Sequence, residues 1–195
     1  MTTCALGFFA RTGKAGVAAV DTSGALLGTW DIVLMPPETE RFVYHNAELM
    51  PRSKADAWVR EATRAATKQT AQSVRALVKE IDADVTQAAV VGKTLELPGP
   101  LDKILASHTL LHTSEGVLYR AAIADALHKV KIEWSLVTPD ALTALQPELV
   151  GFGKVAPPFR REHKDAALAA LSLVRGGGRG HGPRTARAGS TRRSR

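Results

Sequence analysis

The chain contains a single cysteine, Cys4, so an internal disulfide and a multi-cysteine zinc site are both excluded. Cys4 lies in an apolar, strand-like run, where a buried, inert thiol is the default. Aromatic residues are few, and the tryptophans at 30, 58 and 134 are scattered, so no stacking platform is legible. Trp58, near the start of a basic helix, is a candidate to face a partner. No run reaches about 18 consecutive apolar residues, so no transmembrane helix is expected. The N-terminal "MTTCALGFFARTGKAG" has no basic region ahead of its apolar run and reads as a strand rather than a signal peptide. Phosphate-loop chemistry is disfavoured as well. The Gly-Lys-Thr at 92–94 lacks the preceding glycines, and "FFARTGKAG" lacks the required spacing. No motif for covalent catalysis is present.

What is there suits one domain with a hydrophobic core: 195 residues, 45% of them apolar. The composition is compatible with a reducing compartment, and the expectation is a cytoplasmic or nucleoid-associated protein. The net charge of +7 is unevenly placed. Seven arginines and no acid occur from Arg175 onward. Removing them leaves 19 basic residues against 19 acidic ones. Residues 175–195 therefore read as an Arg/Gly-rich disordered tail, with too little to bury to offset the entropy of ordering. Arg179, Arg184, Arg192 and Arg193 in that tail are candidates for phosphate contact, and a merely solubilising extension is the alternative.

Residues 1–174 read as a folded domain. "TCALGFFA" (3–10) and "KAGVAAVDTSGALLGTWDIVLM" (14–35) predict three antiparallel strands, with a turn at "DTSG". Residues 36–48 read as a loop or a short edge strand. A long helix then starts at Ser53, with Asp56 as the return half of a capping box. Val59, Ala62, Ala66, Thr70, Val74, Leu77 and Ile81 give it an apolar face. Arg60, Arg64, Lys68, Arg75 and Lys79 share another face, either a solvated surface or a phosphate-facing stripe. A buried strand in 84–97, a helix over 99–130, a strand in 131–142 stopped by Pro139, a Gly/Pro-rich loop and a last helix over 161–174 follow. This order predicts an α/β fold, a mixed sheet flanked by helices.

Two side-chain groups invite chemistry. In "REHKDAALAAL" (161–171), Glu162 and Asp165 sit three apart on one helical face, with His163 beside them. They read either as a metal-binding edge or as the polar start of a surface helix. His163 is a candidate to assist proton transfer, or an ordinary polar residue at a helix start. In "HTLLHTSE", His108, His112 and Glu115 are spaced to share a helix face, as zinc ligands or as surface polar residues. No His-Glu-x-x-His motif accompanies them.

The ordered strings resemble the RuvC family of Holliday-junction resolvases within the ribonuclease H-like superfamily. "ALGFFARTGKAGVAAVD" is similar to that family's first hairpin, which usually carries Leu-Gly-Ile-Asp-Pro-Gly. "AQSVRALVKEIDADVTQAAVV" is similar to its central helix and fourth strand. "SEGVLYRAAIADALHKVKIEWSLVTPDAL" and "GFGKVAPPFRREHKDAALAALSLV" are similar to its later helix-strand unit and terminal helix. The resemblance implies a ribonuclease H-like fold and phosphodiester hydrolysis with two Mg²⁺ ions held by carboxylates, so the expected cofactor is Mg²⁺ or Mn²⁺ if the protein is active and none otherwise. By position, however, the first-strand Asp falls on Phe9 and the fourth-strand Glu on Gly92. Only the terminal-helix acids survive, as Glu162 and Asp165. They are the candidate catalytic and metal-binding residues, with Glu96 as a relocated third acid and Asp21 as a poorer one. Phe9 in place of a ligand would fill the cavity of a metal, its burial favouring folding by roughly 1.5–3 kcal/mol. Arg11, Lys14 and Lys93, near the lost acids, are candidates to contact phosphate without a metal. Each also reads as a surface or turn residue.

Three functions compete at this point. The first is a RuvC-like protein that binds branched or duplex DNA with degenerate or absent nuclease activity. The second is an active, divergent Mg²⁺-dependent Holliday-junction endonuclease. The third is a non-catalytic assembly scaffold. A homodimer is implied by the resemblance alone.

Overall fold

The computed structural model describes residues 2–176. Five strands form one sheet in the order β3-β2-β1-β4-β5. β1 (Thr3–Arg11), β2 (Lys14–Asp21) and β3 (Leu26–Val33) pair antiparallel, while β4 (Asp84–Val91) and β5 (Glu133–Val137) run parallel to β1. The expected α/β mixed sheet is therefore present. The expected turn at 21–24 is built by Asp21, whose Oδ1 accepts from the Ser23 N–H (2.8 Å), the Ser23 hydroxyl (2.6 Å) and the Ala25 N–H (2.9 Å). Those bonds, led by the Ser23 hydroxyl, hold its carboxyl below the usual range and account for Asp21 as a turn residue.

Helices cover both faces. On one side lie α1 (Val43–Glu48), α2 (Arg52–Glu80), α3 (Leu101–Leu105) and α4 (His108–Lys129). Their apolar faces meet Leu6, Phe8, Val17 and Ala19 of the sheet in the main core, where Ala62, Ala66, Val74, Leu77, Leu111, Ile123 and Leu127 are buried. On the other side, α6 (Arg161–Arg175) packs on β1, β2 and β4, with α5 (Pro139–Thr143) and a 3₁₀ turn (Gln146–Phe152) at its flank. No helix among the described residues is long and apolar enough to cross a membrane.

Four local expectations are corrected. Residues 43–48 form a helix rather than a loop or edge strand, because Val43, Tyr44 and Ala47 bury one short face. α2 begins at Arg52, and no side chain caps it; the chain turns in at Pro51, and Asp56 pairs instead with Arg60, one turn ahead. The helix expected over 99–130 breaks at Ala106–Ser107 into α3 and α4, with Ser107 extended at φ −143°. No glycine or proline marks that break. Trp58 is half-buried on the core, its Nε1 donating to the Val43 carbonyl (2.9 Å), so it serves to seat α1 rather than to face a partner. The tail arginines Arg179, Arg184, Arg192 and Arg193 lie outside the described residues. α6 ends at Arg175, one residue past the expected boundary, where Arg175 pairs with Glu148.

α6 sits unusually close to the sheet. A Cβ built at Gly7 would lie 1.8 Å from the Ala166 carbonyl oxygen, and one at Gly16 would lie 3.0 Å from Glu162 Cγ. The helix answers with small residues: Ala166, Ala167, Ala169 and Ala170 are all buried. Gly7→Ala should therefore destabilise the protein by about 3 kcal/mol or more, since backbone has to move to admit the methyl. Gly151→Ala, where nothing lies within 4 Å, is the matched control and should shift stability by less than about 0.5 kcal/mol in the same urea titrations.

Candidate nucleic-acid interface

The parallel strands β1, β4 and β5 all end at the same edge of the sheet. Open α/β sheets place ligands beyond the carboxyl ends of their strands, because the backbone there leaves the sheet and opens a crevice. The β1–β2 hairpin, the start of α6 and the segment before α1 converge at this edge. Together they line a cavity of about 310 Å³, bounded by Arg11, Lys14, Asp31, Arg41, Arg160 and Glu162 among others. Four cations and two acids face it, a surplus of two positive charges.

The hairpin turns at Thr12–Gly13, where Gly13 adopts φ +76°, and this brings Arg11 and Lys14 opposite each other in the ladder. Arg11 Nη1 donates to Glu162 Oε1 at 2.7 Å. Arg160 Nη2 donates to both Asp31 oxygens, at 2.8 and 2.6 Å, while its Nε lies 3.4 Å from Glu162 Oε1. Glu162 is thus only 8% exposed and sits between two guanidiniums. Burial opposes its ionisation, but its own backbone N–H and the charges of Arg11 and Arg160 outweigh that and hold its carboxyl below the usual range. Lys14 and Arg41 have no acidic partner within ion-pair distance among the described residues. Glu38 and Glu40 line an adjoining groove on their other side. Tyr119 fixes the Arg41 backbone by donating its hydroxyl to the Arg41 carbonyl (2.5 Å).

His163 is fully buried, which corrects its reading as an ordinary polar residue at a helix start. Its Nδ1 accepts from the Arg160 backbone N–H (3.2 Å), so Nε2 carries the hydrogen. That nitrogen lies 3.2 Å from Asp31 Oδ1 without the alignment of a hydrogen bond. The ring braces the start of α6 and is closed to direct contact with solvent.

Of the other acids, Asp165 stands near Glu162 and Glu96 stands apart from both. Asp165 lies one turn on, near Arg161 at 3.9 Å. Burial pushes its carboxyl above the usual range; Arg161 and a hydrogen bond with Gln146 oppose this in part, and the nearby charge of Glu162 adds to it. Glu96 is exposed in the loop after β4, its N–H donated to Thr94, and no ion pair or hydrogen bond links it to Glu162 or Asp165 among the described residues. Phe9 packs half-buried against the cluster of Leu168 and Ala169 of α6 and Ala89 and Val91 of β4. The Phe8–Val90 pairing places Phe9 beside the end of β4, where Gly92 stands. At Gly92 a Cβ would lie 2.3 Å from Cδ of Arg120, whose Nε donates to the Thr94 carbonyl (3.3 Å). An aromatic ring and a guanidinium stem therefore fill the space at the ends of β1 and β4. This donor set does not fit a two-ion Mg²⁺ or Mn²⁺ centre, which requires several unpaired oxygens converging on one point.

The remaining basic candidates are separate from the cavity. Lys93 lies beyond β4, 3.4 Å from Asp140. Arg60, Arg64, Lys68, Arg75 and Lys79 are all exposed along α2, in the helical layer across the sheet from α6. Sequence reasoning missed Arg41, Asp31 and Arg160. The doubled arginine just ahead of Glu162 was a usable signal for Arg160. Nothing near Arg41 or Asp31 marked them.

This arrangement defines an α/β protein of ribonuclease H-like fold with a basic cavity at the strand ends. RuvC of Thermus thermophilus in complex with a Holliday junction substrate matches 90% of this chain and 96% of its own, with a TM-score of 0.53 and 12% identity. A second Thermus thermophilus RuvC structure matches with a TM-score of 0.45 and 10% identity, covering 88% of this chain and 92% of its own. No protein-family model matches the chain, and no curated protein does either.

The two α6 carboxylates should respond in opposite senses to neutralisation. Glu162 has a lowered pKa, so its contribution is present above about pH 4.5 and is lost as pH falls through its folded value. Glu162→Gln should cost about 1 kcal/mol at pH 7, and that gap should close on acidification below pH 4.5. Asp165 has a raised pKa, so its ionised form opposes folding, and Asp165→Asn should be neutral or stabilising at pH 7. Urea unfolding at several pH values reads both signs.

Proposed function

We propose that this protein is a RuvC-like nucleic-acid-binding protein that binds branched or duplex DNA through its phosphates and lacks the two-metal nuclease centre. The observation that carries this reading is the cavity at the strand ends, where Arg11, Lys14, Arg41 and Arg160 outnumber Asp31 and Glu162. Arg11 and Arg160 are held in place by the acids they neutralise. Lys14 and Arg41 remain free to pair with an incoming anion. Guanidinium groups suit phosphate because their forked donors match two of its oxygens. The fold likeness to a junction-bound RuvC supports DNA as the polymer. Arg60, Arg64, Lys68, Arg75 and Lys79 of α2 and Lys93 after β4 extend the positive surface, and these cations, with Arg179, Arg184, Arg192 and Arg193 of the sequence, add sequence-independent affinity. A homodimer that presents two such cavities to a two-fold junction belongs to the same proposal.

Catalysis through Glu162, Asp165 and Glu96 is not part of it. A carboxylate already neutralised by two guanidiniums has little charge to offer a cation, and the neighbouring positions hold Phe9 and Arg120.

Fluorescence anisotropy with labelled junction and duplex DNA tests the reading. Binding should weaken steeply with salt. The pair Lys14→Glu and Arg41→Glu should lower affinity at least tenfold and flatten the slope of log K against log salt by about 2, one phosphate contact for each lost cation. Reversing Arg60, Arg64 and Lys68 together should have a smaller effect. Unchanged binding by the cavity variant would remove the interface. Junction cleavage in Mg²⁺ or Mn²⁺ would remove the claim of lost catalysis. Sedimentation velocity with and without junction DNA should show a dimer on the junction.

A further inference from the structure

On the opposite helical layer, α1 and α4 bring three histidines together that neither helix holds alone. His108 and His112 are one turn apart on α4, with their Nε2 atoms 3.0 Å apart. His45 comes from α1. Its ring centroid lies 4.6 Å from that of His112 and 5.6 Å from that of His108. One ring nitrogen from each residue falls within 4.8 Å of those of the other two. His108 and His112 are exposed and His45 is half-buried, so the cluster faces solvent on one side.

Behind His45 stands Glu115. It is buried, and its Oε1 accepts from the Tyr44 N–H at 2.8 Å and lies 3.3 Å from His45 Nδ1. That contact places a hydrogen on Nδ1 and leaves the lone pair of His45 on Nε2. A carboxylate behind an imidazole is the arrangement that fixes the tautomer and raises the basicity of a metal-ligating histidine. The other oxygen of Glu115 is buried without a hydrogen-bond partner, and no lysine or arginine pairs with the carboxylate among the described residues. A dication bound through His45 would supply the missing counter-charge.

We propose that His45, His108 and His112 form a site for a divalent transition-metal ion, Zn²⁺ foremost, with Glu115 as the carboxylate that orients His45. Zinc bonds imidazole nitrogens at about 2.0–2.1 Å, which puts the nitrogens of a tetrahedral set roughly 3.3 Å apart. The 3.0 Å separation of His108 and His112 is close to that value, and a rotamer adjustment at His45 completes the set. Three imidazoles leave a fourth position for water or an anion, and nitrogen ligands favour zinc, nickel or copper over magnesium. The ion would clamp α1 to α4. Phe42 meets His45 edge-on at 5.8 Å and lines the basic cavity with Arg41, so the clamp would also stiffen one wall of that cavity. Sequence spacing pointed to Glu115 as the third ligand. The fold places it behind the ligands and supplies His45 from another helix.

Titration calorimetry of the full chain with Zn²⁺, and visible absorption with Co²⁺ as the coloured probe, test the site without reference to DNA binding. One ion per chain should bind, with the intense bands of four-coordinate Co²⁺ and a rise in melting temperature. His108→Ala and His112→Ala change exposed residues and should leave metal-free melting unchanged while weakening binding at least tenfold each. Glu115→Gln should keep the stoichiometry and weaken binding by about 10–100-fold. Absence of a saturable site, or Zn²⁺ affinity that survives both histidine variants, would overturn the assignment.

Discussion

The seat of α6 on the sheet is the contact on which the candidate interface depends. At Gly7 the Ala166 carbonyl approaches so closely that even a methyl group is excluded, and at Gly16 the same holds less severely for Glu162. Two glycines on adjacent strands and four buried alanines on the helix make this approach possible. Dispersion falls steeply with distance, so small residues gain contact by closeness where larger ones gain it by area. The approach also aims the N-terminal turn of α6. Glu162 is carried over β2, within reach of Arg11 on the hairpin and beside Arg160, which bridges to Asp31 on β3.

That seat turns an acidic helix edge into part of a basic cavity. Two carboxylates spaced three apart suggest cation binding when read alone. In the folded chain one is claimed by guanidiniums and the other is partly buried beside Arg161, with its ionisation disfavoured. Phe9 and the Arg120 stem close the ground between β1 and β4. The crevice carries more cationic than acidic side chains. Arg41 belongs to the same crevice because Tyr119 of α4 grips its carbonyl across the main core.

The legibility of this protein follows the range of the interactions concerned. Strand alternation, the apolar face of α2 and the alanine run of α6 are local patterns, so the element order and the mixed sheet were readable. The resemblance to RuvC rested on that order and on several local strings, and the fold is similar to that of a junction-bound RuvC structure. Errors fell where a local signal competes with a distant partner. Asp56 had a place in a capping box but pairs with Arg60. Residues 43–48 had no period of their own and become helical by burying Val43, Tyr44 and Ala47. His163 looked like a polar residue at a helix start, yet it is sealed beneath Arg160.

The sequence by itself determined the order of the main strands and helices, the lone cysteine, the charge-neutral body with its arginines gathered at the end, and the absence of carboxylates at Phe9 and Gly92. These depend on residue type and short spacing. Tertiary structure alone decided what the surviving polar groups do. Glu162 meets Arg11 across 151 positions of chain, Arg160 meets Asp31 across 129, and His45 meets Glu115 across 70. No periodicity encodes such pairings. They arise because a sheet, once formed, brings distant strand ends to one edge, and because helices packed on a common core must share a boundary.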